Sequence, residues 1–256
     1  MNFMVTAYSD VGIVKENNQD SVLVQVANSS AGKVFFGVVC DGMGGLQKGE
    51  LASATVIRAL ANWFSHDLEK LIEDGFSQEA LADEWEKIVL ECNNKIGVYG
   101  YEHGIQLGTT VVTLLIFGDK YYIMNIGDSR AYCLRSETIQ LTKDQTYVQR
   151  EMDAGRMTPE EARVNPNRNV LLQCVGASSS IVPAYYTGDV LPGDVFMLCS
   201  DGFRHVITPE EIYENLSAEA VITEDDMTER CKYLVELNKS RREPDNISVL
   251  LARVLP

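Results

Sequence analysis

Four apolar runs rich in β-branched and aromatic residues crowd into residues 109–142: TTVVTLLIF, KYYIMNI, RAYCLRS and TIQLT. Only short turns, at Gly118-Asp119, Gly127-Asp128 and Ser136-Glu137, separate them. Connections this short cannot carry the chain across a sheet, so these strands must reverse direction and pair antiparallel. Further strands are expected at 3–8, 21–27, 33–40, 181–187, 194–199 and 247–254, from the same apolar enrichment. Between them the period changes. Val56, Ile57, Leu60, Trp63 and Phe64 form one stripe of a helix from about Gly49 to His66. Leu81, Trp85, Ile88, Val89, Cys92 and Ile96 do the same from about Gln78 to Tyr99. A second pair of helices is expected at about 208–216 and 225–238. Residues 144–169 are polar and carry charges of both signs, with a helix-start signal, T-P-E-E, at Thr158. Runs of strands with helices grouped in pairs imply an α+β fold. The expected form is a four-layer α-β-β-α sandwich, two antiparallel sheets packed together and flanked by helix pairs. Residues 1–256 show no repeat or long linker, which implies one domain.

The 256 residues carry 22 Lys plus Arg against 37 Asp plus Glu, a formal charge of −15. No basic stripe is present to release counterions, which argues against nucleic acid and anionic lipid as partners. The six cysteines include no CxxC pair and the three histidines no HxxxH, so buried free thiols are expected and a zinc site is not. There is no apolar run of roughly 20 residues to span a membrane and no signal-peptide pattern, so a cytoplasmic protein is expected, and no long exposed apolar stripe suggests obligate assembly, so a monomer is expected.

Five acidic turns interrupt this framework: NNQD at 17–20, CDGMGG at 40–45, IGDSR at 126–130, SDG at 200–202 and PDN at 244–246. A single Asp-Gly at a strand end is ordinarily a turn whose carboxylate caps backbone amides. Five of them are harder to dismiss. If they converge, their charges repel strongly in a low-dielectric site, and divalent cations are the natural remedy. Carboxylates and a glycine carbonyl are hard oxygen donors, suited to Mg²⁺ or Mn²⁺ rather than zinc. The stretch GMGGLQKGE lacks GK[ST] and the third glycine of GxGxxG, so a nucleotide-binding loop is not supported.

At this point the sequence resembles the bacterial branch of the PP2C (PPM) family of metal-dependent Ser/Thr protein phosphatases. SDVGIVKENNQDS, VVCDGMGG, LGTTVVTLLI, NIGDSRAYCL, LTKDQT, MLCSDGF and PDNISVLL follow in the family's order from about Ser9 to Leu251. The resemblance implies the same sandwich, with a variable flap at about 144–170. It implies that Asp41 bridges two metal ions, Mn²⁺ or Mg²⁺, and that the Gly42 carbonyl ligates one of them. Asp201 and Asp245 would complete the first ion's shell, and Asp20 would hold water on the second. Asp128 matches the position that shares a third ion with the SDG aspartate, and Asn246 would orient Asp245. The implied reaction is hydrolysis of phosphoserine and phosphothreonine by a metal-bridging hydroxide, without a covalent intermediate. No cysteine here has an arginine six residues later, as the Cys-x5-Arg loop of cysteine phosphatases would require. The implied partners are phosphorylated proteins, the substrates of a Ser/Thr kinase.

The chain departs from the family pattern at four positions. Lys15 stands where Arg is usual, replacing a bidentate phosphate fork by a point charge. Gln19 stands for a frequent Glu, Met43 for the His of many eukaryotic members, and Gln145 for a frequent His. Two alternatives stay open: a PP2C-like module that binds phosphopeptides without hydrolysing them, and a phosphatase of small phosphoesters. His66, His103, His205, Cys40, Cys199 and the Arg241-Arg242 pair are given no functional role.

Overall fold

The computed structural model describes residues 1–43 and 48–255. Gly44 and Gly45 of the CDGMGG turn, with Leu46 and Gln47 of the Gly-rich stretch, lie outside the described residues.

In chain order the strands are β1 (Asn2–Asp10), β2 (Ser21–Ser29), β3 (Gly32–Cys40) and β4 (Gly42–Met43). Helices α1 (Gly49–His66), α2 (Leu68–Glu73) and α3 (Gln78–His103) follow. Then come β5 (Gly108–Thr109), β6 (Val111–Phe117), β7 (Lys120–Ile126), β8 (Arg130–Leu134) and β9 (Thr138–Gln140). Short helices α4 (Tyr147–Asp153) and α5 (Pro159–Val164) lead to β10 (Ala184–Asp189) and β11 (Val195–Cys199). The chain ends in α6 (Asp201–Arg204), α7 (Pro209–Leu216), α8 (Glu224–Ser240) and β12 (Ile247–Leu255).

The two large sheets are antiparallel, with strand orders β1-β12-β11-β8-β9 and β10-β7-β6-β3-β2. Their central strands are buried on both faces, and alternation sorts the side chains into separate cores. Val34, Phe36, Val38 and Cys40 of β3 point outward to Trp63, Trp85 and Val89 of α1 and α3. Phe35 and Val39 point inward to Phe196, Leu198 and Leu250 of the other sheet. On the far side, Val195, Met197 and Cys199 of β11 meet Ile212, Met227 and Cys231 of α7 and α8. Three apolar interfaces between four layers are what the sequence predicts.

Local chemistry fixes the helix ends. Thr158, Thr208 and Thr223 each close a capping box with the acidic residue three positions on. Ser77 caps α3, and Gly104, at φ 64°, stops it four residues beyond the expected end.

Some boundaries differ from expectation. The expected strand 109–117 breaks at Thr110, whose N–H and hydroxyl are both taken by Asp41. The strand expected from 181 starts at Ala184, because Pro183 has no N–H for the ladder. The SDG turn is the first turn of α6.

Candidate metal and phosphoester site

Strand register alone gathers the acidic turns at one end of the sandwich. Ser21 pairs with Cys40, Val39 with Val112 and Val111 with Ile126, so Asp20, Asp41 and Asp128 leave one sheet at the same edge. Cys199 pairs with Arg130 on one side and Val249 on the other, which brings Asp201 and Asp245 to the matching edge of the second sheet. Asp41 lies in the field of Asp20, Asp201, Asp128 and Asp245. The five turns converge.

Each turn is held by its own scaffold. Thr110 donates its N–H to the Asp41 carbonyl at 2.9 Å and accepts the Asp41 N–H on its hydroxyl at 3.0 Å. The Thr109 hydroxyl donates to the same carbonyl at 2.9 Å. Thr110 also meets the Ser129 hydroxyl at 2.7 Å, which joins the Asp41 turn to the GDSR turn. Gly42 packs so closely that a Cβ would stand 2.4 Å from the carbonyls of Gln19 and Gly49. A Cβ on Gly202 would stand 2.2 Å from the Asn246 carbonyl, so only glycine lets the SDG and PDN turns touch.

Gln19 spans two of these groups. With its amide oriented to satisfy its neighbours, the nitrogen donates to the Gly42 carbonyl at 3.2 Å and the oxygen accepts from Gly49 N–H at 3.1 Å. The N-cap residue of α1, Lys48, makes no side-chain cap bond, and Gln19 provides an acceptor. A Glu here could not donate to Gly42. Asn246 was expected to orient Asp245, and its backbone N–H does donate to Asp245 Oδ1 at 2.8 Å. Its side chain instead reaches the first turn, accepting from Gln19 N–H at 2.9 Å and donating to the carbonyls of Val11 and Asn17.

The carboxylates differ in how they are met. Asp20 is 9% exposed, and among the described residues neither of its oxygens has a hydrogen-bond partner. Burial pushes its carboxyl up to about 7; the hydroxyls of Ser248 and Ser200 face it without completing good bonds and offset only part of this. Asp41 is held well above the ordinary carboxylate range by burial and by its four acidic neighbours. Asp201 Oδ1 is also unpartnered. Lys15 Nζ lies 2.9 Å from Asp245 Oδ1. Asp128, 6% exposed, is pushed up to about 7 by burial and by Asp201, although Arg204 opposes this.

Several contributors were passed over at the sequence level. His205 stands between Asp201 (3.4 Å) and Glu243 (3.5 Å). Glu243 is buried and also accepts the Asp245 N–H at 3.1 Å. Both lie within four residues of a site aspartate, the available signal. Gln145 has a consequence too: its N–H donates to the Gly127 carbonyl at 2.9 Å and its Oε1 accepts Gly127 N–H at 2.8 Å, clamping the GDSR turn. Arg241 is tied to Glu211 and to the Val206 carbonyl rather than free. Cys40 and Cys199 are fully buried, and His66 and His103 are exposed.

Among the described residues no three His, Cys, Asp or Glu side chains close into a compact cage. Mg²⁺-like ions do not need one, since they keep several waters and take only one or two carboxylates directly. The unpartnered buried oxygens of Asp20 and Asp201 fit hard cations. A groove of about 740 Å³ lies elsewhere, between α1, α2 and α3, lined by Arg58, Trp63, Asp67, Lys70, Glu84 and Lys95. It mixes both charge signs and contains none of the five aspartates. Among the described residues no helix is long and apolar enough to cross a membrane.

Comparison with known proteins agrees with this arrangement. The chain is 34% identical over 252 residues to the serine/threonine protein phosphatase PstP of Mycobacterium tuberculosis, covering 97% of this chain but 44% of that protein. The chain thus spans under half the length of that relative. It is 31% identical to the protein phosphatase PhpP of Streptococcus pneumoniae, covering 96% of both. The catalytic domain of PstP in complex with two manganese ions superposes with a TM-score of 0.78 at 32% identity, covering 99% of each chain. The sequence pattern of protein phosphatase 2C matches residues 13–246, and with the sandwich and its five convergent aspartates this chain belongs to the protein phosphatase 2C family.

Proposed function

We propose that this chain hydrolyses phosphoserine and phosphothreonine esters in proteins, using two divalent cations, Mn²⁺ or Mg²⁺, held at the convergent aspartates. The observation that carries this reading is the set of buried, unpartnered carboxylate oxygens on Asp20 and Asp201, facing Asp41. Bound there, such cations would lower the pKa of a shared water and neutralise charge on the phosphoryl oxygens. Asp41, the Gly42 carbonyl, Asp201 and Asp245 would hold the two ions, and Asp20 would hold water beside them. Lys15, partly exposed beside Asp245, is placed to meet the incoming phosphate. His205 has both ring nitrogens against carboxylates, which assigns it to holding Asp201 rather than to delivering protons.

Gln145 anchors the segment at about 144–170 beside Gly127, and the stems 145–147 and 170–172 are bonded to each other. That supports a flap whose variable surface selects phosphoprotein substrates of a Ser/Thr kinase. One PP2C domain over 1–256 is the matching organisation. The test is turnover of p-nitrophenyl phosphate and a phosphothreonine peptide with Mn²⁺, Mg²⁺ or EDTA. Activity should vanish with EDTA, and Asp201→Asn should lower kcat by on the order of 10³-fold. Folded protein inactive with every metal would overturn the proposal.

A further inference from the structure

Asp128 is where a third ion was expected, shared with Asp201. Its surroundings are already cationic. Arg204, on α6 three residues beyond Asp201, donates from one terminal nitrogen to the Asp128 carbonyl at 3.0 Å. The same nitrogen lies 3.4 Å from Asp128 Oδ2 and 3.5 Å from Asp144 Oδ2. Asp144 is gripped from the other side by Arg130, with two bonds of 2.7 Å in a fork, and Arg130 also donates to the Tyr132 hydroxyl at 3.0 Å. Asp128 is buried, and the Arg204 and Asp144 side chains are nearly so, at 12% and 9% exposure. Two guanidinium groups and two carboxylates therefore balance in a mostly dry cluster. Among the described residues the buried Nε of Arg204 has no acceptor, so these two aspartates are what fix the group.

We infer that Arg204 is a built-in cation that stands in place of a third metal ion at Asp128, so that this chain takes two ions and not three. A guanidinium keeps its charge at every physiological pH and cannot dissociate. A divalent ion on Asp128 would sit against Arg204 and be repelled by it. Displacing Arg204 instead would take a buried charge from its partners. Arg204 is a positioning residue: it ties α6, which carries Asp201, to the GDSR turn and to Asp144 at the foot of the 144–170 segment. The residues around Asp128 therefore do not suit a third ion, although those around Asp20 and Asp41 suit two.

This inference rests on the two-metal reading, and the experiment separates their failures. Mn²⁺ binding is counted by calorimetry, and Mn²⁺ is located by anomalous diffraction, in the wild type, Asp128→Asn and Arg204→Met. The wild type should bind two ions per chain with no peak at Asp128, and Asp128→Asn should also bind two. Arg204→Met should gain a third, weaker ion on Asp128. Three ions in the wild type with one on Asp128, loss of one ion in Asp128→Asn, or an Arg204→Met protein that stays at two would each overturn the inference. Absence of Mn²⁺ from all three proteins would overturn the two-metal reading with it. The wild-type and Asp128→Asn counts decide the matter even if Arg204→Met does not fold.

Discussion

Two groups of aspartates share one end of this sandwich and are neutralised in opposite ways. Asp128 and Asp144 are met by Arg204 and Arg130, cations that belong to the chain. Among the described residues no arginine or lysine is ion-paired with Asp20, Asp41 or Asp201, and the Asp20 oxygens are faced only by the hydroxyls of Ser248 and Ser200, without a completed hydrogen bond. Burying charge without a partner costs several kcal/mol. A fold tolerates that where a ligand later supplies the missing charge. The difference separates a side of the site that is complete in the bare polypeptide from a side that awaits cations.

The largest expected effect tests that contrast directly. Asp144→Asn strands Arg130 and part of the hold on Arg204, and should destabilise the protein by about 3 kcal/mol with or without metal. Asp20→Asn should do the reverse in EDTA, stabilising by on the order of 1–2 kcal/mol because a buried unpartnered charge is lost. Chemical denaturation with EDTA or Mn²⁺ measures both, and equal signs in EDTA would break the comparison.

A pH series sharpens it. Asp20 and Asp128 are both pushed up to about 7, above the ordinary value near 4. Between roughly pH 4 and 7 the folded, metal-free chain binds protons that the unfolded chain has released, so its stability should fall as pH rises through that window. Saturating Mn²⁺ should flatten the fall. A metal-free protein that gains stability from pH 5 to 7 would contradict the assignment.

Smaller effects lie at the joins. Gln145→Ala removes the side-chain half of the clamp on Gly127, which should cost about 1 kcal/mol and lower kcat/KM by about tenfold. Faster hydrogen exchange confined to residues 147–170 would accompany it, whereas unchanged exchange there would detach the flap from the turn. Lys15→Ala should raise KM for a phosphopeptide about three- to fivefold with little change in kcat, as befits an exposed charge. A change in Mn²⁺ affinity with KM unaltered would instead assign Lys15 to Asp245.

Much of this was legible from the sequence because it rests on local periodicity. Helix α1 runs from Gly49 to His66 as the stripe of Val56, Leu60 and Trp63 predicts, and the alternation within β3 sorts Phe35 from Phe36 into different cores. The five acidic turns were legible because each ends or begins a strand. What escaped depends on contacts between residues far apart in sequence. Nothing in the spacing of Arg130, Asp144 and Arg204 says that they meet, although both arginines follow a site aspartate within three residues. The break at Thr110 was hidden because its cause, Asp41, is 69 residues away. The short helix α2 has no apolar stripe long enough to announce itself, and it forms as a continuation of α1 across Asp67.

The placement of β12 between β1 and β11 sets the order in which the molecule can be assembled during synthesis. Residues 247–255 are translated after the other strands of both sheets, yet they occupy an inner place in their sheet, and Asp245 lies two residues before them. While those residues remain in the ribosomal tunnel, β1 has no neighbour to pair with and the site lacks one of its aspartates. The sheet carrying β2, β3, β6 and β7 is translated well before this and can form first. Until residues 247–255 have emerged, the chain would be a half-built sandwich that lacks β12 and the aspartate before it. The set of five convergent aspartates would be complete only once β12 has taken its place between β1 and β11.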